Sequence, residues 1–177
     1  RRRATPGRVY GRTDLVADLV RANETALRRA NAGGGALTEY LSFRLGDELF
    51  ALPLRNVQEL IAFRPLTYVP RAPDDVVGIL FVRGLLVTVI DLRRRLRLSF
   101  GDDRQRGRVL LVPGPEGETL GLLVDEVEQV YRLAESEVEQ AANVLGGNTA
   151  EYVAGIGRRD DKVIVLLSLG PLLTAGR

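Results

Sequence analysis

The chain has 177 residues, with 25 basic and 23 acidic side chains, 45% hydrophobic residues, and no His, Cys, Met or Trp. That length suits one domain or two small ones with a real core. The missing residue types exclude a thiol nucleophile, a Ser-His-Asp triad, an imidazole base, an ordinary structural zinc site and every disulfide. Binding is favoured over catalysis, and no catalytic residue, metal ligand or cofactor is expected. The net charge of +2 is unevenly placed. Residues 1–35 hold eight Arg against Asp14, Asp18 and Glu24, a net of +5, which leaves 17 basic and 20 acidic residues, a net of −3, for 36–177. A nucleic-acid-binding β-barrel would carry its positive charge on the folded body and its aromatics on one face, whereas here aromatics are 6% and scattered. Arg1-Arg2-Arg3 is not followed by an apolar stretch, and the runs Val76–Val82 and Val163–Leu173 are too short to span a bilayer, so no membrane insertion is expected. The first residue is not Met, as in an excerpt of a longer protein.

In chain order, residues 13–32 read as a helix. Thr13 stands at its cap, Asp14 and Asp18 in its first turns and Arg28-Arg29 in its last, with Leu15, Val16, Leu19, Val20, Ala26 and Leu27 on one stripe. Gly33-Gly34-Gly35 ends it as a joint, and residues 1–35 are taken as a basic extension to a body at 36–177. From Glu39 the pattern changes to short strands. They are expected at Tyr40–Leu45 and Leu49–Leu52 around the turn pair Gly46-Asp47, then at Val57–Phe63, Val76–Val82, Leu85–Ile90, Val109–Val112, Thr119–Val124, Glu126–Leu133 and Lys162–Leu167. No long amphipathic helix intervenes, so an all-β fold of antiparallel barrels or sandwiches is expected rather than parallel βαβ units.

The body repeats itself. Ala51–Leu60 aligns with Gly121–Val130 at an offset of 70. At an offset of 77, Val76-Val77-Gly78-Ile79 matches Val153-Ala154-Gly155-Ile156, and Val87–Leu92 matches Ile164–Leu169. The difference fits an insertion between Tyr131 and Glu151. Asp91 and Ser168 occupy matching capping positions before short apolar turns. Two similar units imply pseudo-twofold symmetry with a groove where they meet.

Residues Phe43-Arg44-Leu45-Gly46, Leu49–Pro53, Val57-Gln58-Glu59, Gly78, Arg83-Gly84, Val87–Leu92, Gly121–Asp125, Val127 and Tyr152–Gly155 together resemble the CheW family of bacterial chemotaxis coupling proteins. The resemblance runs from about Tyr40 to Leu173. It implies two pseudo-symmetric five-stranded SH3-like β-barrels sharing an apolar core. It also implies a non-catalytic cytoplasmic adaptor at receptor arrays on the inner face of the membrane. The implied partners are the helical tip of a chemoreceptor (a methyl-accepting chemotaxis protein) and a CheA-type two-component histidine kinase, with ring assembly among homologous domains. The regulatory domain of the kinase shares the fold and is the alternative reading. Two positions depart from the family pattern: Phe81 stands where Asn is common, and Thr88 where Pro is often found.

The receptor-binding groove is expected to involve Val57, Glu59, Gly78, Arg83, Gly84, Gly121, Val127 and Val130. Arg83 is expected to pair with Glu59, the planar guanidinium holding a carboxylate in fixed geometry. The valines suit core or groove walls, and the glycines suit a bulge, a turn and a close approach. Asp74-Asp75, Asp102-Asp103 and Asp160-Asp161 read as turns. Arg93-Arg94-Arg95 with Arg97 reads as a solvated basic turn.

Overall fold

The structure is a computed structural model that describes residues 36–98, 107–140 and 151–174. The helix expected over 13–32, the glycine joint, the Asp102-Asp103 turn and residues 141–150 of the expected insertion lie outside them.

The first repeat forms β1 (Leu37–Leu45), β2 (Glu48–Pro53), a 3₁₀ turn at Leu54–Asn56, β3 (Glu59–Ala62), β4 (Val76–Val82), β5 (Leu85–Asp91) and the short α1 (Leu92–Arg95). The second forms β6 (Arg108–Pro113), β7 (Thr119–Val124), β8 (Glu126–Ala134), a 3₁₀ turn at Glu135–Glu137, β9 (Val138–Gln140), β10 (Val153–Arg159), β11 (Lys162–Leu167) and α2 (Leu169–Thr174). Asp91 caps α1 as expected, its carboxylate accepting the Arg93 N–H at 2.9 Å. The expected strand at Val57–Phe63 is shorter, Glu59–Ala62, because Val57 is taken up in capping the 3₁₀ turn before it.

The repeats do not each build a barrel; they exchange hairpins. One sheet runs β8-β1-β2-β11-β10-β9 and the other β3-β6-β7-β5-β4, so the β1–β2 hairpin of the first repeat belongs with the strands of the second, and β6–β7 with those of the first. The first sheet closes on itself because its two edges, β8 and β9, are one continuous segment bent at Glu135–Glu137. In the second, the chain beyond β3 returns to the far edge, where Thr67 bridges Ile79.

Exchange also explains a departure from the all-antiparallel expectation. Strands β5 and β7 pair in parallel, as do β11 and β2. Thr88 opposite Leu120 in one barrel matches Val165 opposite Phe50 in the other, the register required by the offsets of 77 and 70. The bulge at Val76/Gly78 recurs at Val153/Gly155.

Strands β2, β6 and β7 of the exchanged hairpins bury apolar residues on both faces, since each lies between its own barrel and a shared layer. On β6, Val109 and Leu111 point into the second barrel with Ile61, Leu80, Val87 and Val89. Leu110 and Val112 join Phe43, Leu52, Leu122 and Leu172 in the core between the barrels. On β2, Leu49 and Ala51 fill the first barrel with Tyr131, Leu133, Ile164 and Leu166. Phe43 and Phe50, cross-strand neighbours, stack at 6.4 Å in the shared layer. Because neither repeat can complete a sheet alone, residues 36–98 and 107–177 expressed separately are expected to stay unfolded. Co-expressed, they should purify as a 1:1 complex with the β-sheet circular dichroism of the intact chain.

In the basic cluster after β5, Arg94 and Arg97 are exposed, as the solvated-turn reading expects, but Arg93 and Arg95 correct it. The Arg95 side chain is 7% exposed and pairs with Asp75 at 2.6 Å, while Arg93 pairs with Asp125. Asp125 also accepts the Gly46 N–H at 2.6 Å, and so ties α1 to the β1–β2 turn of the exchanged hairpin. Asp125→Ala is expected to cost about 1–3 kcal/mol, because it orphans the Gly46 donor and removes a part-buried ionic partner; urea unfolding measures it.

Candidate functional site

Strands β3 and β4 are the two ends of the second sheet's strand order, and the candidate site begins where a side-chain pair joins them. The β4–β5 turn has two central residues, Arg83 and Gly84, with φ of 49° and 81°. Both angles are positive, as the twist of a tight hairpin requires, and Gly at the second position meets that requirement without strain. From this turn Arg83 reaches Glu59 at the start of β3. Its Nη1 and Nη2 donate to Glu59 Oε2 and Oε1, each at 2.7 Å. The side chains are 63% and 23% exposed, so the pair stabilises the fold by less than about 1 kcal/mol. Its physical consequence is orientation: a guanidinium held at the rim of the barrel with its plane fixed.

Val57 is buried in the shared core, directly after the 3₁₀ turn, and its N–H donates to the Leu54 carbonyl at 3.0 Å. Val127 and Val130 lie on β8, opposite Phe43 and Leu41, half-buried against the same core. Gly78 and Gly121 sit inside instead. A Cβ on Gly78 would lie 2.7 Å from the Thr67 carbonyl oxygen, and one on Gly121 would lie 2.8 Å from Val109 Cγ1. The eight residues therefore form three sets: Glu59, Arg83 and Gly84 at one rim, Val57, Val127 and Val130 along the shared core, and two interior glycines.

Three side chains at this rim were not singled out from sequence as site residues. Phe81, Leu85 and Leu86 are 67%, 60% and 59% exposed, and flank Arg83 on both strands of the hairpin. The available signal was composition, since Arg83 is the one charged residue between Val76 and Ile90.

The Asp160-Asp161 pair forms the β10–β11 turn, both residues at positive φ. Tyr152 has its pKa raised, chiefly by a hydrogen bond to Glu151 and then by burial. Among the described residues no three acidic groups converge where a metal ion could be held. No described helix is long and apolar enough to cross a membrane.

Comparison with known proteins agrees with this architecture. The CheW-like domain family matches residues 39–177. The chain is 27% identical over 142 residues to the "Chemotaxis protein CheW" of Treponema pallidum strain Nichols, covering 77% of this chain and 82% of that protein. It is 32% identical over 143 residues to "Protein FrzA" of Myxococcus xanthus, covering 78% and 87%. Among solved structures, the scaffolding protein TtCheW from Thermoanaerobacter tengcongensis superposes with a TM-score of 0.72 at 29% identity, over 80% of this chain and 95% of that one. With both barrels, their shared core and the motif residues in place, the chain belongs to the CheW-like domain family.

Proposed function

We propose that this chain is a non-catalytic adaptor of a chemotaxis pathway that couples a chemoreceptor tip to a CheA-type histidine kinase. The family match over 39–177, supported by a solved scaffolding protein of the same fold, carries the reading. Transmission of a signal through contacts needs rigid surfaces rather than reactive groups. Two barrels fused through one core supply rigidity, and the chain contains neither His nor Cys. In this reading the phosphorylated histidine belongs to the kinase, and the adaptor works in the cytoplasm at receptor arrays. The Glu59–Arg83 rim and the half-buried Val127 and Val130 are the surfaces it would offer to a helical receptor tip, whose apolar face needs apolar walls. The arginines of the body favour protein over nucleic-acid partners: Arg44, Arg93, Arg95, Arg132 and Arg159 are each ion-paired to carboxylates.

Reconstitution tests this directly. Kinase autophosphorylation is measured with receptor-containing membranes, with and without the chain. The chain is expected to bring autophosphorylation under control of the receptor's ligand. No change for any receptor–kinase pair encoded in the source genome would refute the coupling role.

A further inference from the structure

The two barrels carry opposite charge. The strands and turns of the first, residues 37–53, 125–140 and 151–167, hold 12 acidic and five basic side chains, a net of −7. Those of the second, 57–98 and 107–124, hold six acidic and eight basic, a net of +2. The chain's main excess of positive charge lies in residues 1–35, and there it is confined to the first twelve, which hold five Arg and no acid. Over 13–32, Arg21, Arg28 and Arg29 balance Asp14, Asp18 and Glu24. The chain enters the body on the acidic barrel. Leu37 starts β1 opposite Ala134 of β8, and the two strands run on to Leu41 opposite Val130 and Phe43 opposite Val127. They end at the β1–β2 turn, where Asp47, Glu48 and Glu126 are exposed and, among the described residues, outside the ion pairs. Lengths agree as well. The helix that the sequence leads one to expect over 13–32 would measure about 30 Å, and β1 measures about 27 Å. Turned back at the glycine joint and laid along β8, that helix would set Leu19, Ala26 and Leu27 against Val127 and Val130. It would also bring the five arginines before it to Asp47, Glu48 and Glu126.

We propose that residues 1–32 fold back in this way and cover Val127 and Val130 of their own chain, so that a receptor tip must displace them. The identity of that competitor rests on the adaptor reading; the docking itself does not. Apolar area drives the contact, since a helix stripe and a half-buried valine wall each gain by leaving water. Charge sets its direction, placing the basic end of the segment at the acidic turn rather than at the joint. The chain's own segment is favoured over that of a second copy because a three-glycine joint holds it at an effective concentration in the millimolar range. It is favoured over an anionic lipid surface because such a surface would repel the acidic barrel from which the segment emerges.

The chain has no Cys, so two introduced thiols can pair only with each other or with those of a second copy. Leu27→Cys with Val130→Cys, and Leu19→Cys with Val127→Cys, are made in the full chain and oxidised in dilute solution with copper phenanthroline. Each pair is expected to close a disulfide within one chain, read by mass spectrometry and by a non-reducing gel. Leu27→Cys with Tyr68→Cys, at an exposed ring on the second barrel, should stay open. Receptor-containing membranes should then sediment at least tenfold less of each closed form than of the same chain reduced. The docking is overturned if both pairs stay open, if the Tyr68 pair closes equally well, or if disulfides form only between chains. Open pairs in a chain that binds protein-free phosphatidylglycerol vesicles would assign the segment to lipid instead. Equal sedimentation of the closed and reduced forms would overturn the competition. If the disulfides close but the wild-type chain does not sediment with the membranes, the adaptor reading fails and the docking stands.

Discussion

Arg83→Glu should abolish receptor-controlled kinase activity in a fully folded protein. The substitution replaces a bidentate ion pair with two carboxylates facing each other, and reverses the charge at the rim. Arg83 is 63% exposed, so the stability lost stays below about 1 kcal/mol and the thermal transition moves by only a few degrees. The functional loss is large because Arg83 is the single charge on its hairpin. A receptor pull-down reads it out, and retention equal to the wild type would end the assignment. The double variant Glu59→Arg with Arg83→Glu separates two roles. It restores an ion pair across the rim but presents the opposite polarity, and is expected to remain uncoupled. Restored coupling would mean that the pair serves local geometry alone.

Gly78→Val is expected to fail for the contrasting reason, through loss of the second barrel. Gly78 has φ of 149°, and its missing Cβ would meet backbone: the Thr67 carbonyl oxygen at 2.7 Å, with Leu66 Cβ at 2.8 Å. Backbone cannot turn aside, and this backbone is the Thr67–Ile79 bridge that closes the barrel, with N–O distances of 3.0 and 2.9 Å. Strain and a broken closure together should cost about 3 kcal/mol or more, seen in urea unfolding and as faster amide exchange at Ile79. Gly121→Ala should cost less, about 1–2 kcal/mol, because its nearest neighbour is the Val109 side chain, which can shift. Both glycine variants are expected to lose coupling in step with stability, whereas Arg83→Glu loses coupling alone.

Local features of the fold were legible in the sequence. Strands β4, β7 and β11 have the bounds that their apolar runs suggest, and the internal repeat anticipated the matching bulges at Gly78 and Gly155. Partner choice was not legible. The β1–β2 hairpin would satisfy its main chain equally well against either repeat's strands, and which it joins depends on burial summed over the whole molecule. Strand β10 was not counted, because Gly155, Gly157, Arg158 and Arg159 dilute its apolar pattern, and β9 is only three residues long. The Glu59–Arg83 pair was anticipated from residue chemistry. The exposed apolar side chains beside it were not, because an alternating strand of large apolar residues looks the same in sequence whether its outer face is covered or bare. The Arg93–Arg95 cluster misled for a related reason: charge in a turn implies solvent unless the partners, Asp75 and Asp125, are known to converge there.

The exchanged hairpins set an order of assembly during synthesis. The second barrel is built from one uninterrupted stretch, Glu59 to Val124, and can close once that stretch has left the ribosome. The first barrel needs β1 and β2, made earliest, together with β8 to β11, which end at Leu167, 43 residues after Val124. At a translation rate of about 5–20 residues per second, the β1–β2 hairpin waits for several seconds with Leu49 and Ala51 unpartnered by Tyr131, Leu133, Ile164 and Leu166 of its final sheet. The first strands of the folded body are thus the last to find their place, and during that interval they are the part of that body most in need of a chaperone.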